Sequence, residues 1–319
     1  MPPPLTILPG GSHQTFLGVP FHADLETLDA HVAILGVPHG MPYGPAGVGN
    51  DQGNAPTAVR GASDLISEPL DHWDFDLNGT LLDEREIRIA DCGDVAGGPD
   101  DPAGHYARAE QAVRTILSRG AVPLIIGGDH GVPIPVLRAF KGHGPITLVQ
   151  VDAHLDWRDE VDGEREGYSS PIRRASEMDW IEGIFQIGMR GVGSARAQEV
   201  TAARDYGAKI VTSYEVHDAG MASVLARIPA GGDYYLTIDA DGLDPSVMPA
   251  VAAPAPGGLT FHQVRALIHG LEAKGRVVGM DVVEITPSCD MNQISAVAAG
   301  RLMTNLIGAM AKAGRFDGD

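Results

Sequence analysis

The chain has 319 residues, 44% of them hydrophobic, and a formal net charge of −19. It is long and apolar enough to bury a sizeable core, and its acidity disfavours nucleic acid as a partner. Its two cysteines argue against a disulfide scaffold and favour a reducing, cytoplasmic location. No apolar run approaches the ~20 residues of a membrane span, and the N-terminus lacks a signal-peptide pattern. We therefore expect a cytoplasmic protein that binds neither membrane nor nucleic acid.

Strands and helices are predicted to alternate along the chain. The predicted strands are 31–37, 86–90, 122–126, 146–151, 184–189, 209–212, 234–238 and 277–283. The predicted helices are 103–118, 133–140, 194–206, 216–227, 261–273 and 293–313. This alternation predicts a single-domain, three-layer α/β/α fold around a mostly parallel sheet of about eight strands.

Proline and glycine mark the irregular parts of the chain. They interrupt any period in residues 1–30, so we expect an irregular N-terminal arm there and the α/β domain over 31–319. Gly93-Asp94 and Gly257-Gly258 predict turns within the domain.

The densest cluster of chemically active residues runs from Asp152 to Asp156 and reads Asp-Ala-His-Leu-Asp. Side chains two apart on a strand share a face, so an extended backbone would project Asp152, His154 and Asp156 together. Two more clusters, Gly127 to His130 and Asp239 to Pro245, also follow predicted strands. Open α/β sheets place their active sites at the carboxyl ends of strands.

Each of these residues also has an ordinary structural explanation. A single Asp after a strand is often a helix cap or a turn former, and a single His is often an ordinary polar residue. Three such clusters favour metal binding instead, because carboxylates packed together without compensating charge are very costly. Two divalent cations would balance the negative charge of the four carboxylates of Asp152, Asp156, Asp239 and Asp241. The set is rich in oxygen and lacks thiolate, which suits manganese better than structural zinc. The candidate ligands are His130, Asp152, His154, Asp156, Asp239 and Asp241.

From His31 to the last helix, the chain resembles the ureohydrolase family, which comprises arginase, agmatinase and the guanidino-acid hydrolases. The matching motifs are Gly-Gly-Asp-His, Asp-Ala-His-x-Asp, Asp-x-Asp-x-x-Asp-Pro and the segment from Gly279 to Pro287. The stretches 281–284 and 257–260 resemble agmatinases and their relatives more than animal arginases. The resemblance implies an arginase/deacetylase-like fold and a trimer or hexamer.

The resemblance also implies roles for individual residues. One metal would be held by His130, Asp152, Asp156 and Asp239, and the other by Asp152, His154, Asp239 and Asp241. The metals would be two Mn²⁺ per subunit, and Ni²⁺ or Co²⁺ would also fit these ligands. A hydroxide bridging them would attack a small guanidino compound, such as agmatine or 4-guanidinobutyrate, and release urea and an amine. Asp156 and Glu284 would be catalytic, with Asp156 handling the proton and Glu284 binding the guanidinium.

Three stretches depart from the family pattern, and none contains a metal ligand. Tyr168 and Ser169 stand where many ureohydrolases have a His followed by Gly or Ala, so they are candidate substrate contacts. The stretch 249–254 lacks the usual Gly-Thr-Gly-Thr, and Gly47 to Asn54 lacks the usual Arg. The charged stretch 157–174 either forms local ion pairs or selects the far end of the substrate.

These departures predict retained chemistry with altered specificity. Two alternatives remain: a formiminohydrolase or deacetylase on the same fold, and a non-catalytic subunit.

Overall fold

A computed structural model describes residues 7–8, 14–41, 43, 51–67, 69–98 and 100–318. Of the stretch Gly47 to Asn54, residues 47–50 lie outside the described residues. In the described part of the arm, Phe16 and Leu25 are buried, and the Phe16 amide donates to Asp91 Oδ2 at 2.7 Å.

The centre of the molecule is a twisted sheet whose strand order is β1-β3-β2-β4-β9-β8-β5-β6-β7. Eight strands are parallel, and the two-residue β1 pairs antiparallel with β3 at one edge. The predicted mostly parallel sheet of about eight strands is therefore confirmed. The strands are β1 Ile7–Leu8, β2 Val32–Val37, β3 Ile89–Val95, β4 Val122–Gly127, β5 Ile146–Val151, β6 Ile181–Met189, β7 Lys209–Thr212, β8 Asp233–Asp239 and β9 Arg276–Val283.

Helices cover both faces of the sheet. They are α1 Ala55–Gly61, α2 Ser63–Ile66, α3 Pro102–Ser118, α4 Pro133–Ala139, α5 Pro171–Ala175, α6 Ala197–Tyr206, α7 Ser213–Ala219, α8 Met221–Arg227, α9 Phe261–Lys274 and α10 Ile294–Lys312. Alternate β5 residues enter opposite cores: Val149 packs with α7 to α10, whereas Leu148 packs with α3 to α6. Because the strand is buried on both faces, its sequence is almost continuously apolar. The predicted three-layer architecture is confirmed.

Some predicted element boundaries were wrong. The helix predicted at 216–227 is two helices, because Gly220 adopts a φ of 77° between α7 and α8. Gly93-Asp94 is not a turn but lies within β3, where the pairing with β2 shifts register and Gly93 has a φ of 72°. The prediction of a turn at Gly257-Gly258 fits the φ of 80° at Gly257.

Helix α10 corrects one expectation from composition. Its 19 residues, with a mean hydropathy of 1.3, are long and apolar enough to cross a membrane. However, 83% of that window is buried inside the protein. The helix packs on α9, where His269 Nε2 lies 2.8 Å from Asn305 Oδ1. The apolar residues of α10 therefore form part of the hydrophobic core.

Candidate metal centre

Four neighbouring strands, β4, β9, β8 and β5, bring the sequence motifs together. Their register places Ile126, Val282, Ile238 and Val151 in one row across the sheet. The motif residues follow directly beyond that row. Since parallel strands end at the same edge, residues 128–130, 284, 239–241 and 152–156 surround one site.

The six predicted metal ligands form two adjoining groups. In the first, His130 Nδ1 lies 2.9 Å from Asp152 Oδ2, 2.9 Å from Asp156 Oδ2 and 3.1 Å from Asp239 Oδ2. In the second, His154 Nδ1 lies 3.0 Å from Asp241 Oδ2 and 3.5 Å from Asp152 Oδ1. Asp152 thus contributes one oxygen to each group, as a carboxylate bridging two cations would.

The residues of the Asp152–Asp156 cluster converge by a different route from the predicted one. Strand β5 ends at Val151, and Asp156 has a φ of 50°, so the backbone is not extended through the cluster. Instead it turns back over the end of the sheet. Hydrogen bonds fix the turn: the Asp152 amide donates to Ile187 O at 3.0 Å, and the Arg190 amide donates to Ala153 O at 3.1 Å.

A buried hydrogen-bond chain sets the tautomer of His130. Thr237 Oγ1 donates to Asp281 Oδ1 at 2.6 Å, and Tyr235 donates to the other oxygen at 2.7 Å. Because its only proton is used, the Thr237 hydroxyl accepts from His130 Nε2–H at 3.0 Å. The Nδ1 lone pair of His130 therefore faces three carboxylates.

That Nδ1 atom is buried and makes no contact with hydrogen-bond geometry. A lone pair against carboxylate oxygens is repulsive unless a cation lies between them. A nitrogen fixed by a hydrogen bond at its other ring position is the usual arrangement of a metal-ligating His. The residues present therefore fit a metal ion.

Electrostatics in the site point the same way. Burial and the neighbouring carboxylate of Asp152 raise the pKa of Asp156 to about 7, and burial with Asp241 raises the pKa of Asp239 well above its usual range. Contacts with Asp152 and Asp241 raise the pKa of His154 to about 12. Burial opposes ionisation of Asp152, yet the adjacent imidazoles of His130 and His154 hold its pKa well below the usual range. Without cations, shared protons must compensate these carboxylates.

Glu284 lies beside the first ligand group, at the end of β9. Its Oε1 accepts from the His130 amide at 2.8 Å, and its Oε2 accepts from Gln52 Nε2 at 2.9 Å. Burial raises its pKa. Gln52 was not predicted as a site residue, although it lies in the stretch Gly47 to Asn54 that departs from the family pattern. These two donors fix the carboxylate, which can accept further bonds from a planar cation.

A cavity of about 260 Å³ opens over the metal ligands and Glu284. Tyr168 and Ser169 line it, where the sequence placed candidate substrate contacts. Tyr43 supports them: its ring contacts that of Tyr168 at a tilt of 58° with centroids 4.6 Å apart, and its hydroxyl accepts from the Ser169 amide at 3.0 Å. Val251, Ala252 and Ala253, from the stretch 249–254 that departs from the family pattern, also line the cavity, and so does Ser194, which the sequence did not indicate.

Other acidic residues of the motifs have structural roles. Asp244 Oδ2 accepts from the Gly257 and Gly258 amides at 2.9 and 3.1 Å, so it shapes the turn. Asp129 Oδ1 accepts from the Gly131 amide at 2.8 Å, and burial, with the nearby Glu284, raises the Asp129 pKa to about 8. Neither residue joins the two ligand groups.

The charged stretch 157–174 forms mainly local ion pairs. Arg165 and Arg174 both bind Asp159 Oδ1, at 3.0 and 2.6 Å, and Glu166 pairs with Arg138. No charged residue of this stretch lines the described part of the cavity. Local pairing is the interpretation that these contacts favour.

Arg190 holds the loops behind the second ligand group. The buried guanidinium donates to backbone carbonyls of Gly188, Asp241, Gly242, Leu243, Ala255 and Pro256. It thereby joins the turn that carries Asp241 to the loop that carries the cavity wall. No motif in the sequence indicated this role.

Known proteins resemble the chain over almost its full length. The family model for the arginase family matches residues 30–308. A guanidinobutyrase from Pseudomonas aeruginosa is 31% identical, over 89% of this chain and 87% of that protein. An agmatinase from Salmonella paratyphi B is 31% identical, over 92% of this chain and 91% of that protein. The solved proclavaminate amidino hydrolase from Streptomyces clavuligerus has a TM-score of 0.79 and 28% identity, covering 94% of this chain and 97% of that one.

The chain belongs to the arginase family. The protein is accordingly a hydrolase of C–N bonds in linear amidines, an amidinohydrolase acting on guanidino compounds. The predicted resemblance is confirmed. The family depends on a binuclear metal centre, for which the two groups around Asp152 supply candidate ligands.

Proposed function

We propose that the protein is a manganese-dependent amidinohydrolase that cleaves a small guanidino compound to urea and an amine. Agmatine and 4-guanidinobutyrate are the candidates that follow from the family resemblance. One observation carries the proposal: two ligand groups share Asp152, and Glu284 lies beside them under one cavity. That arrangement combines a site for two cations with a carboxylate suited to a guanidinium.

The metal ions would be held by the six predicted ligands, of which Asp152 belongs to both groups. Four carboxylates balance two divalent cations, and the oxygen-rich set suits Mn²⁺, with Ni²⁺ or Co²⁺ as alternatives. When bound, such a pair supplies a nucleophilic hydroxide from water near neutral pH and polarises the electrophile.

The chain's own residues would bind the substrate and move the proton. Glu284, fixed by Gln52 and the His130 amide, would accept hydrogen bonds from the substrate guanidinium. Asp156 borders both the ligands and the cavity, so its carboxylate is placed to take a proton from water and return it to the leaving amine. Tyr168 and Ser169 would contact the substrate from the opposite wall.

Assembly and location are part of the same proposal. We infer a homo-oligomer, a trimer or hexamer, with the α/β domain over 31–319 and an N-terminal arm over 1–30. The family match to residues 30–308 supports that division. Cys92 and Cys289 are both free, which suits a cytoplasmic enzyme.

The first test is urea release by the full chain loaded with Mn²⁺, across guanidino compounds that differ in length and end group. Asp239→Asn is the informative variant, and Asp233→Asn is its matched control at the opposite end of β8, where Asp233 pairs with Arg276. We expect Asp239→Asn to lose bound metal and at least 100-fold in kcat/KM, and the control to keep both.

Full activity in Asp239→Asn would overturn the two-metal mechanism. If the loaded protein released no urea from any compound, the result would favour a formimino or amide substrate, or a non-catalytic subunit.

A further inference from the structure

Apart from the metal ligands and Glu284, the described residues that line the cavity carry no charge, and we call them the uncharged wall. The ionisable side chains of the described lining, apart from Tyr168, are five of the predicted metal ligands and Glu284: His130, His154, Asp156, Asp239, Asp241 and Glu284. The remaining described lining residues are Gln52, Tyr168, Ser169, Ser194, Val251, Ala252 and Ala253. This wall would face the far end of a bound guanidino compound.

The sequence between Tyr43 and Asp51 carries no charge by its chemistry. Residues 44–50 read Gly-Pro-Ala-Gly-Val-Gly-Asn, so this segment contains no ionisable side chain. Position 43, just before it, is the tyrosine that supports Tyr168.

Cations behind the wall are already engaged. Arg158 Nη1 donates to Ser194 O at 3.3 Å, and its Nε lies 3.6 Å from Glu199 Oε1. Arg190 is saturated by backbone carbonyls. A substrate carboxylate would thus meet no free cation in the described part of the cavity.

An ammonium at the far end would also lack a partner. Glu284 is required by the guanidinium, and the four aspartates are required by two divalent cations. Burying a charge without a partner is costly, whereas apolar and hydroxyl groups fit Val251, Ala252, Ser169 and Ser194. The cavity of about 260 Å³ lies below the ~300–1,000 Å³ typical of drug-sized ligands, so the substrate must be small.

We propose that the enzyme is specific for a small guanidino compound with an uncharged far end, such as a short alkyl or carboxamide group. The proposal rests on the proposed amidinohydrolase function and names its substrate class. It differs from what the names of the guanidinobutyrase and agmatinase relatives imply for those proteins, and it replaces agmatine and 4-guanidinobutyrate, the candidates from the family resemblance, by uncharged analogues. The altered stretches at Tyr168 and at Val251–Ala253 supply the uncharged wall.

Two matched pairs of compounds test the charge at the far end. Pentylguanidine replaces the ammonium of agmatine by a methyl group, and 4-guanidinobutyramide replaces the carboxylate of 4-guanidinobutyrate by an amide. With the Mn²⁺-loaded full chain, we expect kcat/KM for urea release to be at least tenfold higher for the uncharged member of each pair. Pentylamine, which is not hydrolysed, should raise Tm more than 1,4-diaminobutane or 4-aminobutyrate does.

A designed charge supplies the converse test. Ala252 lines the cavity and is exposed, so the variant Ala252→Arg should fold. It should shift the ratio of kcat/KM for 4-guanidinobutyrate to that for 4-guanidinobutyramide at least tenfold toward the carboxylate, whereas Ala252→Gln should not. The proposal is overturned if the wild type prefers either charged compound. Loss of a carboxylate preference in Arg158→Met would identify Arg158 as the overlooked partner. No urea from any compound would overturn the proposed function as well, whereas urea from only the charged compounds would overturn this inference alone.

Discussion

Thr237 is the residue through which the fold orients a metal ligand. Its hydroxyl lies between His130 Nε2 and Asp281 Oδ1, at 3.0 and 2.6 Å, and all three side chains are buried. Thr237→Val keeps the shape of the side chain and removes both hydrogen bonds. His130 would then lose the contact that directs its Nδ1 lone pair toward Asp152, Asp156 and Asp239.

The expected magnitude follows from two separate effects. Loss of a partner that orients a ligating His costs about 10–100-fold in metal affinity, or about 1.4–2.8 kcal/mol. The acceptor left unsatisfied on Asp281 costs about 1–3 kcal/mol of unfolding free energy, whether or not metal is bound. The Kd for Mn²⁺ is measured by competition with a chelator, and the unfolding free energy by denaturation of the metal-free protein.

Thr147→Val is the matched control. Thr147 is buried in neighbouring β5, at the end of the strand away from the site, and its hydroxyl donates to Glu182 at 3.4 Å. This variant should lose stability and keep its Mn²⁺ affinity. An unchanged Kd in Thr237→Val, alongside a loss of stability like that of the control, would refute the argument that Thr237 orients His130.

Three further predictions concern the surroundings of the site. Gln52→Leu should raise KM about tenfold with a smaller change in kcat, because a hydrogen bond to a charged group is worth about 1.5–3 kcal/mol and the Gln52 bond positions Glu284. Steady-state kinetics would measure both constants, and an unchanged KM would contradict this role of Gln52. Arg190→Met should lower the unfolding free energy by about 2–3 kcal/mol and weaken metal retention, because the backbone carbonyls around Asp241 lose their donor. Chemical denaturation would measure the unfolding free energy, and metal analysis would measure the bound metal. Burial raises the pKa of Asp156 to about 7 in the metal-free protein. The protonated carboxyl therefore favours the folded state below that pH, and this contribution to stability is lost as pH rises through 7. The Tm difference between Mn²⁺-loaded and metal-free protein should therefore grow from pH 6 to pH 8, and a constant difference would count against a proton-compensated carboxylate cluster.

The sheet could be predicted because its strands are buried on both faces and read as short apolar runs. Strands β5 and β7 have the predicted boundaries, the two-residue β1 in the arm was not predicted, and the others differ by a few residues. Strand β3 was predicted too early in the chain, because Gly93 in its second half was interpreted as part of a turn. Helices α1, α2 and α5 were missed because segments of 7, 4 and 5 residues are too short to show a helical period.

The metal ligands could be predicted because each follows its own strand, so topology alone brings them together. The uncharged wall could not be predicted in the same way. Gln52 and Ser194 come from segments far apart in sequence, and only the fold shows that both line one cavity, in which Tyr43 contacts the lining residue Tyr168. The role of Arg190 could not be predicted for a related reason: its partners are backbone carbonyls, which every residue has and which no sequence motif indicates.

The two proposed catalytic carboxylates share a backbone feature that explains why the extended-strand argument failed. Asp156 has a φ of 50° and Glu284 a φ of 64°, in the left-handed region that costs about 1–2 kcal/mol per residue. Each lies just beyond a strand end and must turn its side chain back over the sheet, which an extended backbone cannot do. Hydrogen bonds hold the turns: the Glu284 amide donates to Gly128 O at 2.8 Å, and the Arg173 amide to Asp156 O at 3.2 Å. Strain at these two positions is the cost of pointing both carboxylates into the cavity, and strain of this kind is typical of functional sites.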